Sequence, residues 1–122
     1  MIRIAALFGF LAVALGAFGA HGLQRVLEQH QSVEIWKTAV LYHLAHSVVL
    51  LVLSCWNAGR RPFYFFAGGI VLFSGSLYAL ALTGIKWLGA ITPLGGLLLL
   101  VGWAYLILLG ANADKIAERP PR

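Results

Sequence analysis

Charge is confined to a few points along this chain, and the stretches between them are long and apolar. No Asp, Glu, Lys or Arg occurs between Arg3 and Arg25, Lys37 and Arg60, Arg61 and Lys86, or Lys86 and Asp114, gaps of 21, 22, 24 and 27 residues. A helix crossing a hydrocarbon core needs about 20. The pattern predicts four transmembrane helices, over about residues 4–21, 38–56, 63–84 and 92–110, with a polar tail at 112–122. Nothing remains for a soluble domain. The fold class is therefore an all-α membrane protein, one domain of four transmembrane helices in a compact bundle.

Smaller patterns refine this outline. In the first span Ala5, Gly9, Ala12, Gly16 and Ala20 recur three or four apart and share a face. Lipid supplies no hydrophobic force between helices, so close approach at small residues must hold them together. Gly75 in the third span and Gly95 in the fourth are read the same way. Between the first and second spans, Leu23, Val26, Leu27, His30, Val33 and Trp36 or Lys37 follow helical spacing through a polar stretch. The expectation is an amphipathic interfacial helix over 23–38, with Trp36 anchored at the membrane surface. Residues 57–62 read as a short basic turn, with Pro62 in the first turn of the next helix. Thr92-Pro93 reads as a helix start, with Thr92 as N-cap. The tail is expected to lose its order after a frayed helical turn.

Composition agrees with a membrane setting: 61% of the 122 residues are hydrophobic and 11% charged, against about 25% charged in soluble domains. The net charge of +5 comes from nine basic residues scattered through loops and tails, with no basic stripe for nucleic acid. Their distribution bears on orientation instead. Arg3, Arg60, Arg61, Lys115, Arg119 and Arg122 lie on one side, and Arg25, Lys37 and Lys86 on the other. Six against three places both termini in the cytoplasm. Cys55 is the single cysteine, so no intrachain disulfide forms. The first twenty residues resemble a signal peptide, but the apolar run from Ile4 to Gly22 exceeds the usual 7–15 residues, and a retained helix is expected.

No acidic or basic side chain lies inside a span, which removes the strongest marker of a proton relay or ion-coupled transporter. The remaining intramembrane polar groups fall toward one end of the helices. His21 closes the first span, and Tyr42, His43 and His46 lie one to two turns into the second. Ser74, Ser76 and Tyr78 in the third and Thr92 in the fourth complete a candidate polar binding layer in the outer half. For Ser74, Ser76 and Thr92, hydrogen bonding between or within helices is the stronger reading. Imidazoles within a span are less common and must find partners. His43 and His46 are usable as metal or haem ligands, but no acidic or thiolate ligand stands near them, so no metal and no cofactor is assigned. Neither a nucleophile–base arrangement, a carboxylate pair nor a phosphate loop is present, so no catalytic residue is named and no enzyme is expected.

The order of several segments is recognisable. Gly16-Ala17-Phe18-Gly19-Ala20-His21-Gly22-Leu23, then Trp36-Lys37-Thr38-Ala39-Val40 leading to Tyr42-His43 and His46, resemble a family of membrane proteins. Phe73-Ser74-Gly75-Ser76-Leu77-Tyr78 and Thr92-Pro93-Leu94-Gly95-Gly96 followed by Trp103 continue the likeness. It is similar to the YgdD family of bacterial inner-membrane proteins, whose animal relative is called transmembrane protein 256. The resemblance runs from about Ile4 to Leu109. It implies a multi-pass protein of the cell inner membrane with a retained first helix, and it carries no activity, substrate or cofactor.

The functional expectation is a non-enzymatic structural or accessory component of a membrane assembly, with a membrane-protein partner or a homo-oligomer in the lipid bilayer. The alternative is a binding protein for a small molecule, lipid or haem that uses the His/Tyr/Ser layer. Third comes a small oligomeric permease or channel.

Overall fold

The structure, a computed structural model, describes residues 1–56 and 60–117, with side chains through residue 110. Helix α1 spans Ile2–Ala20, α2 Gln24–Gln29, α3 Val33–Cys55, α4 Arg60–Thr83 and α5 Thr92–Ala117, with a short 3-10 helix at Lys86–Ala90 before α5. Four helices are long and apolar enough to cross a membrane. The turn expected at 57–62 falls partly outside the described residues, as do residues 118–122 of the tail.

Several boundaries differ from the sequence reading, each for a local reason. The amphipathic stretch is not one helix over 23–38. It breaks after Gln29, where Gln31 takes a positive φ of 51°. The Ser32 N–H bonds back to the Leu27 carbonyl at 2.8 Å and that of Gln31 to Glu28 at 3.0 Å. These two bonds make a Schellman cap, in which the left-handed position is usually glycine. The Ser32 hydroxyl ties this corner to α4 by donating to the Ala81 carbonyl at 2.7 Å. Residues 33–37 therefore form the first turns of α3, which begins five residues before the expected span. At the other end α5 runs through Ala117, past the expected stop at Gly110, because Ala and Lys favour helix after the apolar run ends.

The spans pack in chain order: α1 on α3, α3 on α4, and α4 on α5, with no other pair of spans in close backbone contact among the described residues. One core, nearer the termini, joins Ala5, Leu50, Leu53, Phe63, Phe66, Ile70 and Leu99 from all four spans. A second lies at the opposite end, where Leu27 and Trp36 pack on Ala81. Trp36 is therefore buried, at 3% exposure, and is not the surface anchor its position suggested. Its indole N–H donates to the Leu15 carbonyl of α1 at 3.0 Å. The surface left over is apolar, with Phe10, Leu41, Val71, Leu97 and Ile107 all exposed, as lipid-facing helices require.

Small residues set the closest approaches, though not always the expected ones. Ala5 and Ala12 are buried against α3, and a Cβ on Gly16 would lie 3.2 Å from Val40. Gly9 and Gly75 have open space instead, and Ala20 is exposed. The tight α1–α3 contact falls at Gly19, where a side chain would overlap the Trp36 indole. Gly95 is the closest point of α4 and α5: a Cβ there would sit 2.6 Å from the Phe73 Cα. Gly69 against Leu99 and Gly102 against the Phe66 ring extend that crossing.

Candidate functional site

Because α3 starts at Val33, His43 is its eleventh residue of 23, about 15 Å from its start. The histidines thus lie near the middle of the helix. His43 is 5% exposed and His46 8%. Both point into the bundle, with Ser47 one turn beyond His43 donating its hydroxyl to the His43 carbonyl at 2.7 Å.

His43 Nδ1 and the Tyr78 hydroxyl of α4 are 3.2 Å apart. The Phe8 ring of α1 stands nearly perpendicular to the imidazole, with ring centroids 5.9 Å apart. The second nitrogen, Nε2, is buried with no hydrogen-bond partner. Tyr78 also leans on Trp36, centroids 4.7 Å apart, which links the histidine to the core of Leu27, Trp36 and Ala81.

His46 uses both nitrogens. Nδ1 lies 2.8 Å from the Tyr42 carbonyl, and Nε2 accepts the Trp103 indole N–H of α5 at 3.3 Å. Since a carbonyl only accepts, the proton is on Nδ1, and the imidazole is neutral with its Nε2 lone pair toward Trp103. The Phe66 ring stacks near the imidazole at 5.8 Å and meets Trp103 edge-on at 5.3 Å.

The hydroxyls make further joints. Ser74 donates to the Ala39 carbonyl of α3 at 2.9 Å. Ser76 donates to Phe73 within α4 at 3.0 Å and lies 2.8 Å from the Thr92 hydroxyl. Thr92 is the first residue of α5, and its side chain reaches α4 rather than capping its own helix.

The expected layer is thus brought together in part. His43 with Tyr78, His46 with Tyr42, and Ser76 with Thr92 form joined pairs, and Ser74 bonds a backbone carbonyl. Tyr42 packs its ring on Phe73 at 4.5 Å and is 40% exposed. His21 stands apart, exposed beyond the end of α1. The first span contributes no polar side chain to the layer, only the Leu15 carbonyl and the Phe8 ring. Trp36, Ser47 and Trp103 belong to the network although their sequence positions did not assign them to it. An indole N–H inside a span needs an acceptor, and that requirement was the available signal. Among the described residues, no cluster of three or more His, Cys, Asp or Glu side chains comes together.

Two grooves flank the network. One, of about 540 Å³, lies between α3 and α5 with Tyr42, His46, Phe73 and Trp103 among its walls. The other, of about 500 Å³, lies between α1, α2 and α3 at the end away from the termini.

Comparison with known proteins places the chain. Residues 15–96 match a family described as "Protein of unknown function (DUF423)". The UPF0382 membrane protein of Staphylococcus aureus strain bovine RF122 is 43% identical over 113 residues, covering 88% of this chain and 91% of the relative. That of Staphylococcus epidermidis strain ATCC 12228 is 44% identical over 112 residues, with 88% and 91% covered. YwdK, the UPF0382 membrane protein of Bacillus subtilis strain 168, is 42% identical over 117 residues, with 87% and 91% covered. No solved structure matches the chain. With four apolar helices, and with relatives alike over nearly their whole length, the chain belongs to the DUF423 family of UPF0382 multi-pass membrane proteins.

Proposed function

We propose that this protein is a non-enzymatic structural or accessory component of the inner membrane, with both termini in the cytoplasm and a membrane-protein partner or a second copy beside it. The observation that carries the reading is the use of the polar layer: His43, His46, Ser74, Ser76 and Thr92 each bond to another helix. Such groups act as joints between helices. The end spans support a docking role, since α1 and α5 each pack on a single neighbouring span. The six-to-three division of Lys and Arg supports the orientation, and the likeness to the YgdD family and transmembrane protein 256 supports the inner membrane.

The test is site-specific photo-crosslinking in cells from Phe10, which is 70% exposed on α1, beside Gly9, which has free space. A discrete crosslinked partner or dimer is expected, and Gly9→Leu should remove it without changing the helical content of the purified protein. A chain that crosslinks to nothing in cells and runs as a solitary monomer in nanodiscs would sink the proposal.

A second reading is favoured by the groove between α3 and α5, where Tyr42, His46 and Trp103 face a space sized for a small molecule or lipid chain. An absorption spectrum and metal analysis of the purified protein, set against the His43→Ala, His46→Ala double variant, address it. A Soret band or bound metal lost in the variant would move this reading first.

A further inference from the structure

The groove between α1, α2 and α3 differs from its counterpart in the charge at its mouth. Its walls include Gly16 and Gly19 of α1 and Val40 and Leu44 of α3, and also Glu28 of α2 and Lys37 of α3. From Lys37 to Leu44 is seven residues, about 10 Å along the helix. A charged mouth thus opens at the helix ends onto an apolar trough that descends along α3.

The two charges are available to a ligand. The Lys37 ammonium lies 2.7 Å from one Glu34 oxygen, with both side chains largely exposed. An ammonium has three N–H donors, so two remain. Glu28 accepts the Gln24 amide on Oε1 at 2.8 Å, and Oε2 has no protein partner among the described residues.

We propose that this groove is a site for a phospholipid carrying both a phosphodiester and a primary ammonium, the phosphatidylethanolamine class. Lys37 receives the phosphate, Glu28 accepts the ammonium N–H, and one acyl chain lies in the trough past Val40 and Leu44. Charge complementarity selects this occupant. A headgroup bearing only negative charge would set its phosphate beside the Glu28 and Glu34 carboxylates with no cation of its own. A quaternary ammonium has no N–H to donate to Glu28.

Native mass spectrometry tests the site on the full chain in dodecyl maltoside, with equimolar dioleoyl phosphatidylethanolamine, phosphatidylcholine and phosphatidylglycerol. Phosphatidylethanolamine should be retained about threefold over either competitor, the scale of one solvent-exposed ion pair. Glu28→Gln should erase its advantage over phosphatidylglycerol, and Lys37→Gln should lower retention of all three lipids. Glu34→Gln removes the intrahelical partner of Lys37 and one of the two carboxylates beside the phosphate, so it should narrow the margin over phosphatidylglycerol but leave phosphatidylethanolamine first. All three side chains are exposed, so the fold is not at risk, and circular dichroism confirms it. Equal retention of the three lipids by the unmodified protein, or an undiminished preference in Glu28→Gln, overturns the proposal.

Discussion

Trp103 of α5 and His46 of α3 are joined by an indole N–H donated to Nε2 at 3.3 Å, although the backbones of these two spans do not pack. Phe66 of α4 fills the space between them. The three rings fix the separation of α3 and α5 and so the width of the groove between them.

Trp103→Phe keeps the ring contact and removes the donor, leaving His46 Nε2 unpartnered. The expected cost is about 0.6–1.7 kcal/mol, from the mean to the largest value measured for hydrogen bonds between membrane helices. Unfolding in mixed micelles of Trp103→Phe, His46→Phe and the double variant measures it as a cycle. Strictly additive single effects would show that the two residues do not interact.

At the α4–α5 crossing, glycine is required at one position and not at another. Gly95→Ala places a methyl group against the Phe73 backbone and should destabilise by about 1–3 kcal/mol. A methyl group at Gly75 would meet nothing within 4 Å, so Gly75→Ala should stay within about 0.5 kcal/mol of the parent. Thermal unfolding of the two variants separates them, and equal effects would contradict the packing described.

The His43–Tyr78 pair predicts an asymmetry. Tyr78→Phe removes the one partner of a buried imidazole that already has an unpartnered nitrogen, at a cost of about 1–3 kcal/mol. Adding His43→Leu removes the stranded polar group as well, and should recover part of that loss. If the double variant is less stable than Tyr78→Phe alone, the imidazole is held by something other than Tyr78.

Gln31 occupies the left-handed position of the cap that ends α2. Gln31→Gly should relieve that backbone and raise stability by about 0.5–1 kcal/mol, net of the greater freedom of glycine in the unfolded chain. A lowered midpoint of thermal unfolding would show that the Gln31 side chain contributes more than its backbone costs.

The four spans were legible because charge is excluded from the bilayer interior, and the charge-free gaps Arg3–Arg25, Lys37–Arg60, Arg61–Lys86 and Lys86–Asp114 mark them directly. Their ends were less so. Nothing in Gln31 announces a left-handed residue as a glycine would, so the break between α2 and α3 was hidden inside a continuous helical period. That missed break also set the start of α3 five residues too late, so His43 and His46 sit near the middle of a longer helix than expected. The pairing of Ser76 with Thr92 and of His43 with Tyr78 depends on how far each helix slides and turns against the next, which spacing within one helix cannot report. Gly9 and Gly19 make the same point from packing. Both are small residues on α1, but only Gly19 meets a large ring across the interface.

The order in which the spans pack has a consequence for how the protein is made. Each long helix leans on the one synthesised before it, so α3 emerges to find α1 already in place, α4 finds α3, and α5 finds α4. Domains form from the amino terminus as the chain is synthesised, and here each long helix after the first meets a partner already in the bilayer. Biogenesis can follow translation one hairpin at a time, with the Trp103–His46 contact closing last.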